Sequence, residues 1–201
     1  MKDLITFFLV ALIAIFIENA VFSRALGTCR LLAIIKKPNL MFKFGLILSI
    51  TTTVGSALSW VANYFIGAYK YKYLLEPLLY ILILSIVYFI TGIILSKFAN
   101  KVYEEIKKII PLAIFNCATL GALLLPAHQA ITNKITFSST IGFGFGSGIG
   151  FMLALVLVYE GQKAIESKDI PKDFQGLPIM LIYIGILSLA FYGLIGHQLP
   201  F

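Results

Sequence analysis

Residues 4–35 read LITFFLVALIAIFIENAVFSRALGTCRLLAII, thirty-two positions that stay broadly apolar throughout. As one helix this stretch would run about 48 Å at 1.5 Å per residue. The hydrocarbon core of a bilayer is only about 30 Å thick, so the helix must break. The break is expected within Ser23-Arg24-Ala25-Leu26-Gly27-Thr28-Cys29, where Gly27 is the weak helix former. The remainder, about Leu26 to Ile35, then lies along the inner membrane surface or turns back into the protein as a half-helix. Backbone interrupted at membrane depth is tolerated only when it is buried against protein or lines a cavity. Cys29 sits at that break.

Composition leaves a membrane as the solvent. The 201 residues are 60% hydrophobic and 12% charged, whereas a soluble domain carries about 45–50% and about 25%. A soluble enzyme, a disordered chain and a nucleic-acid binder are thereby excluded. The net charge of +7 marks the cytoplasmic flanks of membrane spans, not a phosphate-binding face. Two cysteines are too few for a disulfide-dense framework.

Apolar runs of about 20 residues occur at Leu4–Phe22, Leu40–Phe65, Leu74–Leu95, Ile109–Leu125, Thr136–Tyr159 and Leu177–Ile195. Lipid supplies no hydrogen-bond partners and none of the runs alternates as a barrel strand would, so all six are expected to be helices. The first is not read as a signal peptide: Asp3 cancels Lys2, no small-residue cleavage pattern follows, and Glu18-Asn19 interrupts its end.

The odd-numbered loops carry five (Arg24, Arg30, Lys36, Lys37, Lys43), four (Lys97, Lys101, Lys107, Lys108) and three (Lys163, Lys168, Lys172) basic residues, against four on the other side (Lys2, Lys70, Lys72, Lys134). The positive-inside bias places the odd loops in the cytoplasm and both termini outside. Residues 1–100 and 101–201 each read as three spans entering from opposite sides, the hydropathy signature of two inverted repeats within a single membrane domain. No separate soluble domain is expected, and the polar stretch Glu160–Gln175 reads as a loop.

The second half carries a counterpart to the first break. Ile109-Ile110-Pro111 opens the fourth span, where proline fits a first helical turn, and Asn116-Cys117, Gly121 and Pro126 follow. Cys117 would lie about 12 Å into the membrane, with the Asn116 amide needing a partner there. Cys29 and Cys117 are 88 residues apart, unlike any zinc-ribbon or ferredoxin spacing. From the residues alone, both cysteines read first as small buried hydrophobes, with a disulfide and metal ligation as the alternatives, ligation requiring a second subunit with another pair.

Other candidates carry less. His128 and His197 fall near the outer ends of spans four and six, outside the depth a haem pair would need. Glu18 and Glu160 lie near the cytoplasmic ends of spans one and five, candidates for ion handling that are close enough to the interface to be solvated. Gly142, Gly146 and Gly150, with Gly144 and Gly148 offset beside them, form a close-packing stripe. No nucleophile–histidine–acid set falls on one side of the membrane.

Around the cysteines the sequence resembles the RnfA/NqrE family of membrane subunits. The resembling stretches are Leu26-Gly27-Thr28-Cys29, Ile110-Pro111-Leu112, Asn116-Cys117-Ala118-Thr119-Leu120-Gly121, Asp169-Ile170-Pro171 with Phe174 and Gly176, and Ser188-Leu189-Ala190-Phe191-Tyr192-Gly193. Outside termini also match RnfA and NqrE, not their oppositely oriented sisters RnfE and NqrD. The resemblance implies an electron-relay subunit of an ion-translocating ferredoxin:NAD oxidoreductase in the inner membrane of a prokaryotic cell, coupled to sodium or proton movement. Its partners would be an RnfE-like subunit and the complex's flavin- and iron–sulfur-carrying subunits.

By the same resemblance, Cys29 and Cys117 would be this chain's half of the ligand shell of a [2Fe-2S] cluster shared with the RnfE-like subunit. Gly27, Asn116 and Gly121 would line that cofactor. Family members commonly have proline after the first cysteine and two asparagines before the half-helix, where this chain has Arg30 and Glu18-Asn19. Positive charge at Arg30 should favour the reduced cluster. Competing readings are a subunit of the related sodium-pumping NADH:quinone reductase, or a small inverted-repeat secondary transporter.

Overall fold

A computed structural model describes residues 2–35, 38–66, 71–98, 100–128, 136–166 and 171–195. Every regular element among them is helical: α1 (Lys2–Phe16), α2 (Thr28–Ile34), α3 (Pro38–Ile66), α4 (Lys72–Phe98), α5 (Asn100–Ile106), α6 (Ile110–Ile114), α7 (Cys117–His128), α8 (Phe137–Glu166), a 3-10 turn (Lys172–Phe174) and α9 (Leu177–Ile195). Among the described residues three helices are long and apolar enough to cross a bilayer, over Pro38–Ile66, Leu74–Lys97 and Phe137–Ile165; Ile110–Leu125 and Leu177–Gly193 are shorter apolar segments. The architecture is that of a multi-pass membrane protein.

α8 is the central element and packs most extensively on α1 and α3. Its glycines divide between the two neighbours. Gly142, Gly146 and Gly150 face α1, where a Cβ on Gly142 would stand 2.7 Å from the Phe7 carbonyl oxygen; Gly144 and Gly148 face Ser56 and Ser49 of α3. The expected stripe therefore serves two helices at once. Below it the core is apolar, with Phe44 and Phe151 in ring contact at 5.9 Å and Leu48, Leu155 and Val158 fully buried.

The basic segments gather at one end. Lys43, near the start of α3, pairs with Glu105 of α5. A cavity beside Cys29 is walled by Gln162 and Ile165 of α8 and Leu177 and Met180 of α9. At the opposite end the ring of Trp60 meets that of Phe137 at 5.1 Å.

Three boundaries differ from the sequence expectation. The first helix ends at Phe16, not Phe22, because the Asn19 side chain takes over the backbone groups that a continuing helix would satisfy. α8 runs on through Glu166, so the first residues of the supposed Glu160–Gln175 loop are helical, and Gly161 there packs against the Tyr183 ring. The link between the third and fourth spans contains α5, held to α3 by the Lys43–Glu105 pair.

Candidate functional site

The first break is built from side chains. Asn19 is fully buried. Its Nδ2 donates to the carbonyls of Ile15 at 2.8 Å and Gly150 at 3.1 Å, and its Oδ1 accepts the N–H groups of Val21 at 3.0 Å and Phe22 at 3.2 Å. Ser23 donates its hydroxyl to the Ile17 carbonyl at 2.7 Å. These bonds replace helix bonds across residues 17–23, as buried backbone polar groups require. Ala25 (φ 55) and Gly27 (φ 78) then turn the chain in the left-handed region. Gly27 matters for this backbone conformation more than for weak helix propensity.

Glu18 corrects an expectation. It is 6% exposed, not solvated, and Arg24 donates to its Oε2 through Nε at 2.9 Å and Nη2 at 2.7 Å. An acid at this buried position is held with its counter-charge six residues on, which is what burial of a carboxylate demands.

The second break separates α6 from α7. Phe115 leaves the helical region (φ −87, ψ 60). Asn116 Oδ1 accepts the Ala118 N–H at 3.3 Å, the bond of a helix N-cap. Thr119, fully buried, donates its hydroxyl to the Ala113 carbonyl at 2.9 Å. Pro111 lies in the first turn of α6, as its sequence position predicts.

The two breaks meet. The Gly27 N–H donates to Cys117 Sγ at 3.0 Å. A Cβ on Gly27 would come within 2.6 Å of the Phe151 ring and 3.0 Å of Ala118; a Cβ on Gly121 would come within 2.5 Å of Leu26. Leu26-Gly27 thus rests on the first turns of α7, with Phe151 behind it. α2 packs back on the protein through its buried Leu31 and Ile34. Cys29, in its first turn, faces outward and lines a cavity of about 530 Å³. Both thiols are free of disulfide and exposed on this chain.

The structure therefore gathers Gly27, Asn116, Cys117 and Gly121 at one crossing, two residues from Cys29. It does not bring Glu18 and Glu160 together. The first break touches α8 at Gly150, about 15 Å along the helix from Glu160, which is exposed. His128 ends α7; His197 lies outside the described residues, as does Asp169-Ile170. Sequence reasoning missed Phe151, which backs the crossing, Thr119, which bonds across the second break, and Glu76, buried in α4. The signal for Glu76 was a lone acid at the edge of an apolar run.

Metal chemistry fits this donor set in one respect and is incomplete in another. A sulfur that accepts a backbone N–H suits an electron-rich, metal-bound thiolate. Yet no three His, Cys, Asp or Glu side chains cluster among the described residues. Two exposed thiols can supply half of a four-ligand shell and leave the other half to another chain.

Known proteins provide the comparison for this geometry. The family model described as "Rnf-Nqr subunit, membrane protein" matches residues 7–197. The chain is 31% identical over 194 residues to the A-subunit of the Na(+)-translocating ferredoxin:NAD(+) oxidoreductase complex of Acetobacterium woodii, covering 96% of this chain and 99% of that one. It is 30% identical over 196 residues to the A-subunit of the ion-translocating oxidoreductase complex of Syntrophotalea carbinolica, covering 98% of each. Against the corresponding protein of Tolumonas auensis it is 29% identical over 193 residues, 96% of this chain and 98% of the other. A match across nearly the whole length, through both breaks and both cysteines, means that the chain belongs to the Rnf-Nqr family of membrane subunits.

Proposed function

We propose that this chain is the electron-relay subunit of a redox-driven, ion-translocating oxidoreductase of the Rnf type, and that Cys29 and Cys117 supply its half of an intramembrane [2Fe-2S] cluster. The other half comes from a homologous subunit of opposite orientation. The observation that carries this reading is the Gly27 N–H on Cys117 Sγ at 3.0 Å, which joins interruptions 90 residues apart. The names of the relatives, ion-translocating and ferredoxin:NAD oxidoreductase subunits, support the class of complex.

Bound there, the cluster would accept and pass on single electrons. The residues of this chain do the rest. Cys29 and Cys117 offer sulfur ligands on an exposed surface, where a second chain can reach them. Gly27 and Gly121 let two backbones approach without intervening side chains. Phe151 and Leu26 pack against the crossing and keep water from its inner side. Asn19 and Asn116 hold their interrupted backbones satisfied inside a membrane that offers no substitute partner.

In this reading the fold is six spans in two inverted repeats, about 1–100 and 101–201, each with one broken segment carrying an asparagine and a cysteine. Both termini lie on the outer face of the inner membrane. The Glu18 carboxylate is engaged by Arg24 and Glu160 is remote from it, so no ion route is assigned to that pair.

The test is electron paramagnetic resonance of the anaerobically purified complex, with Cys29→Ser or Cys117→Ser in this chain. One cluster signal is expected to vanish or change its g-values in both variants while flavin content stays the same. An unaltered set of cluster signals in both variants would overturn the assignment.

A further inference from the structure

Asn116 is 4% exposed, and its amide is used on one side only. Oδ1 accepts the Ala118 N–H at 3.3 Å and the Cys117 S–H at 3.5 Å. Nδ2 is buried with no hydrogen-bond partner. A buried donor without an acceptor is uncommon and asks for an explanation, the more so beside a sulfur that already accepts the Gly27 N–H.

The arrangement suits a protonated thiol, whose one hydrogen can point at a carbonyl oxygen. A sulfur bonded to metal has no hydrogen to give. Oδ1 would then face a second electron-rich atom, an unfavourable contact in a medium of low dielectric. The terminal torsion of asparagine is broad and roughly two-fold. Half a turn about it exchanges the two ends of the amide and puts Nδ2 within reach of the sulfur. The exchange gives up the 3.3 Å cap and sets Nδ2 beside the Ala118 N–H, with Oδ1 taking the buried place where Nδ2 had no partner; the bond to the metal-bound sulfur has to outweigh that cost.

We propose that Asn116 is a positioning residue with two settings: its amide accepts from the Cys117 thiol in the metal-free chain and donates to the Cys117 sulfur, beside the Gly27 N–H, once that sulfur carries metal. The inference rests on the assignment of Cys117 as a cluster ligand. One-electron reduction makes the centre more negative by one charge, part of which resides on its sulfurs, and forms or breaks no bond. Hydrogen bonds donated to a ligating sulfur stabilise that added charge, so two donors set the reduction potential higher than one.

The test is a potentiometric titration of the purified complex, followed by electron paramagnetic resonance, with Asn116→Ser and Asn116→Asp in this chain. Serine still caps the Ala118 N–H but is too short to reach the sulfur, and aspartate brings acceptors alone. Both variants are expected to keep the signal that depends on Cys29 and Cys117 and to shift it to lower potential, aspartate further than serine. An unchanged midpoint in the serine variant overturns the proposal and leaves the cysteine assignment standing. A parent complex with no signal dependent on the cysteines sinks that assignment, and this proposal with it.

Infrared spectroscopy of the full chain purified without metal gives an independent reading should a variant fail to assemble the cluster. In a Cys29→Ser background Cys117 is the only thiol, and its S–H stretch is expected at lower frequency with Asn116 than with Asn116→Ser. An identical band in the two proteins overturns the proposal.

Discussion

Asn19 has four hydrogen bonds, two given and two received, and no exposed surface. Asn19→Leu keeps the branched outline in a larger side chain and removes all of them, leaving the Ile15 carbonyl and two N–H groups without those partners, and the Gly150 carbonyl with its helix bond alone, in a site that water does not reach. Each orphaned group costs about 1–3 kcal/mol, so the variant should lose well over ~3 kcal/mol of stability. Asn19→Asp keeps the two bonds to Val21 and Phe22 and should fall between. Thermal unfolding of the detergent-solubilised chain checks this, and equal melting of Asn19→Leu and the parent would refute the structural role. The sequence made the break legible through its length, and Gly27 located its end. It hid the beginning, because a single asparagine in an apolar run carries no mark of the groups it will bind, one of which lies 131 residues away.

At the scale of the element, α8 is fixed by what its glycines lack. A methyl group on Gly146 would run into the Ala11 carbonyl and the Ala14 side chain, whereas one on Gly185 of α9 would meet nothing within 4 Å. The same substitution therefore has opposite signs in the two helices. Gly146→Ala forces α1 away from α8 and should destabilise the chain by about 1–3 kcal/mol, the usual range for overpacking. Gly185→Ala relieves the flexible glycine of the unfolded chain and should stabilise by about 0.4–1 kcal/mol. Comparing the two midpoints of unfolding tests the packing directly; a stabilising Gly146→Ala would mean that α1 does not lie where it is described. The four-residue spacing of Gly142, Gly146 and Gly150 made the α1 contact readable from sequence. That Gly144 and Gly148 form a second such face, against α3, depends on which neighbours flank α8, and a single helix pattern does not encode its neighbours. The same is true of α5, whose helix is tied by Lys43, a residue distant in sequence.

The whole molecule has one basic end, and its position in the membrane is testable. Lys43 pairs with Glu105, and the Cys29 cavity is closed by residues on both sides of the last basic loop, Gln162 and Leu177; the three basic segments counted in the sequence therefore share one side. Ser138, at the start of α8, donates its hydroxyl to the Asp3 carbonyl, which places the N-terminal turn at the other. The grouping arises from packing contacts that owe nothing to the positive-inside argument, and it agrees with the charge count of twelve against four. Anionic lipid and the membrane potential both hold basic loops in the cytoplasm, so the end bearing Lys43, Lys107 and Lys163 should be cytoplasmic and Asp3 outside. Alkaline phosphatase fused after Phe201 should be active, while a fluorescent protein that matures only in the cytoplasm should stay dark there. Moved into the loop between α8 and α9, the two reporters should exchange behaviour. Dark phosphatase and bright fluorescence at the C-terminus would invert the molecule, and would give this chain the orientation proposed above for its partner.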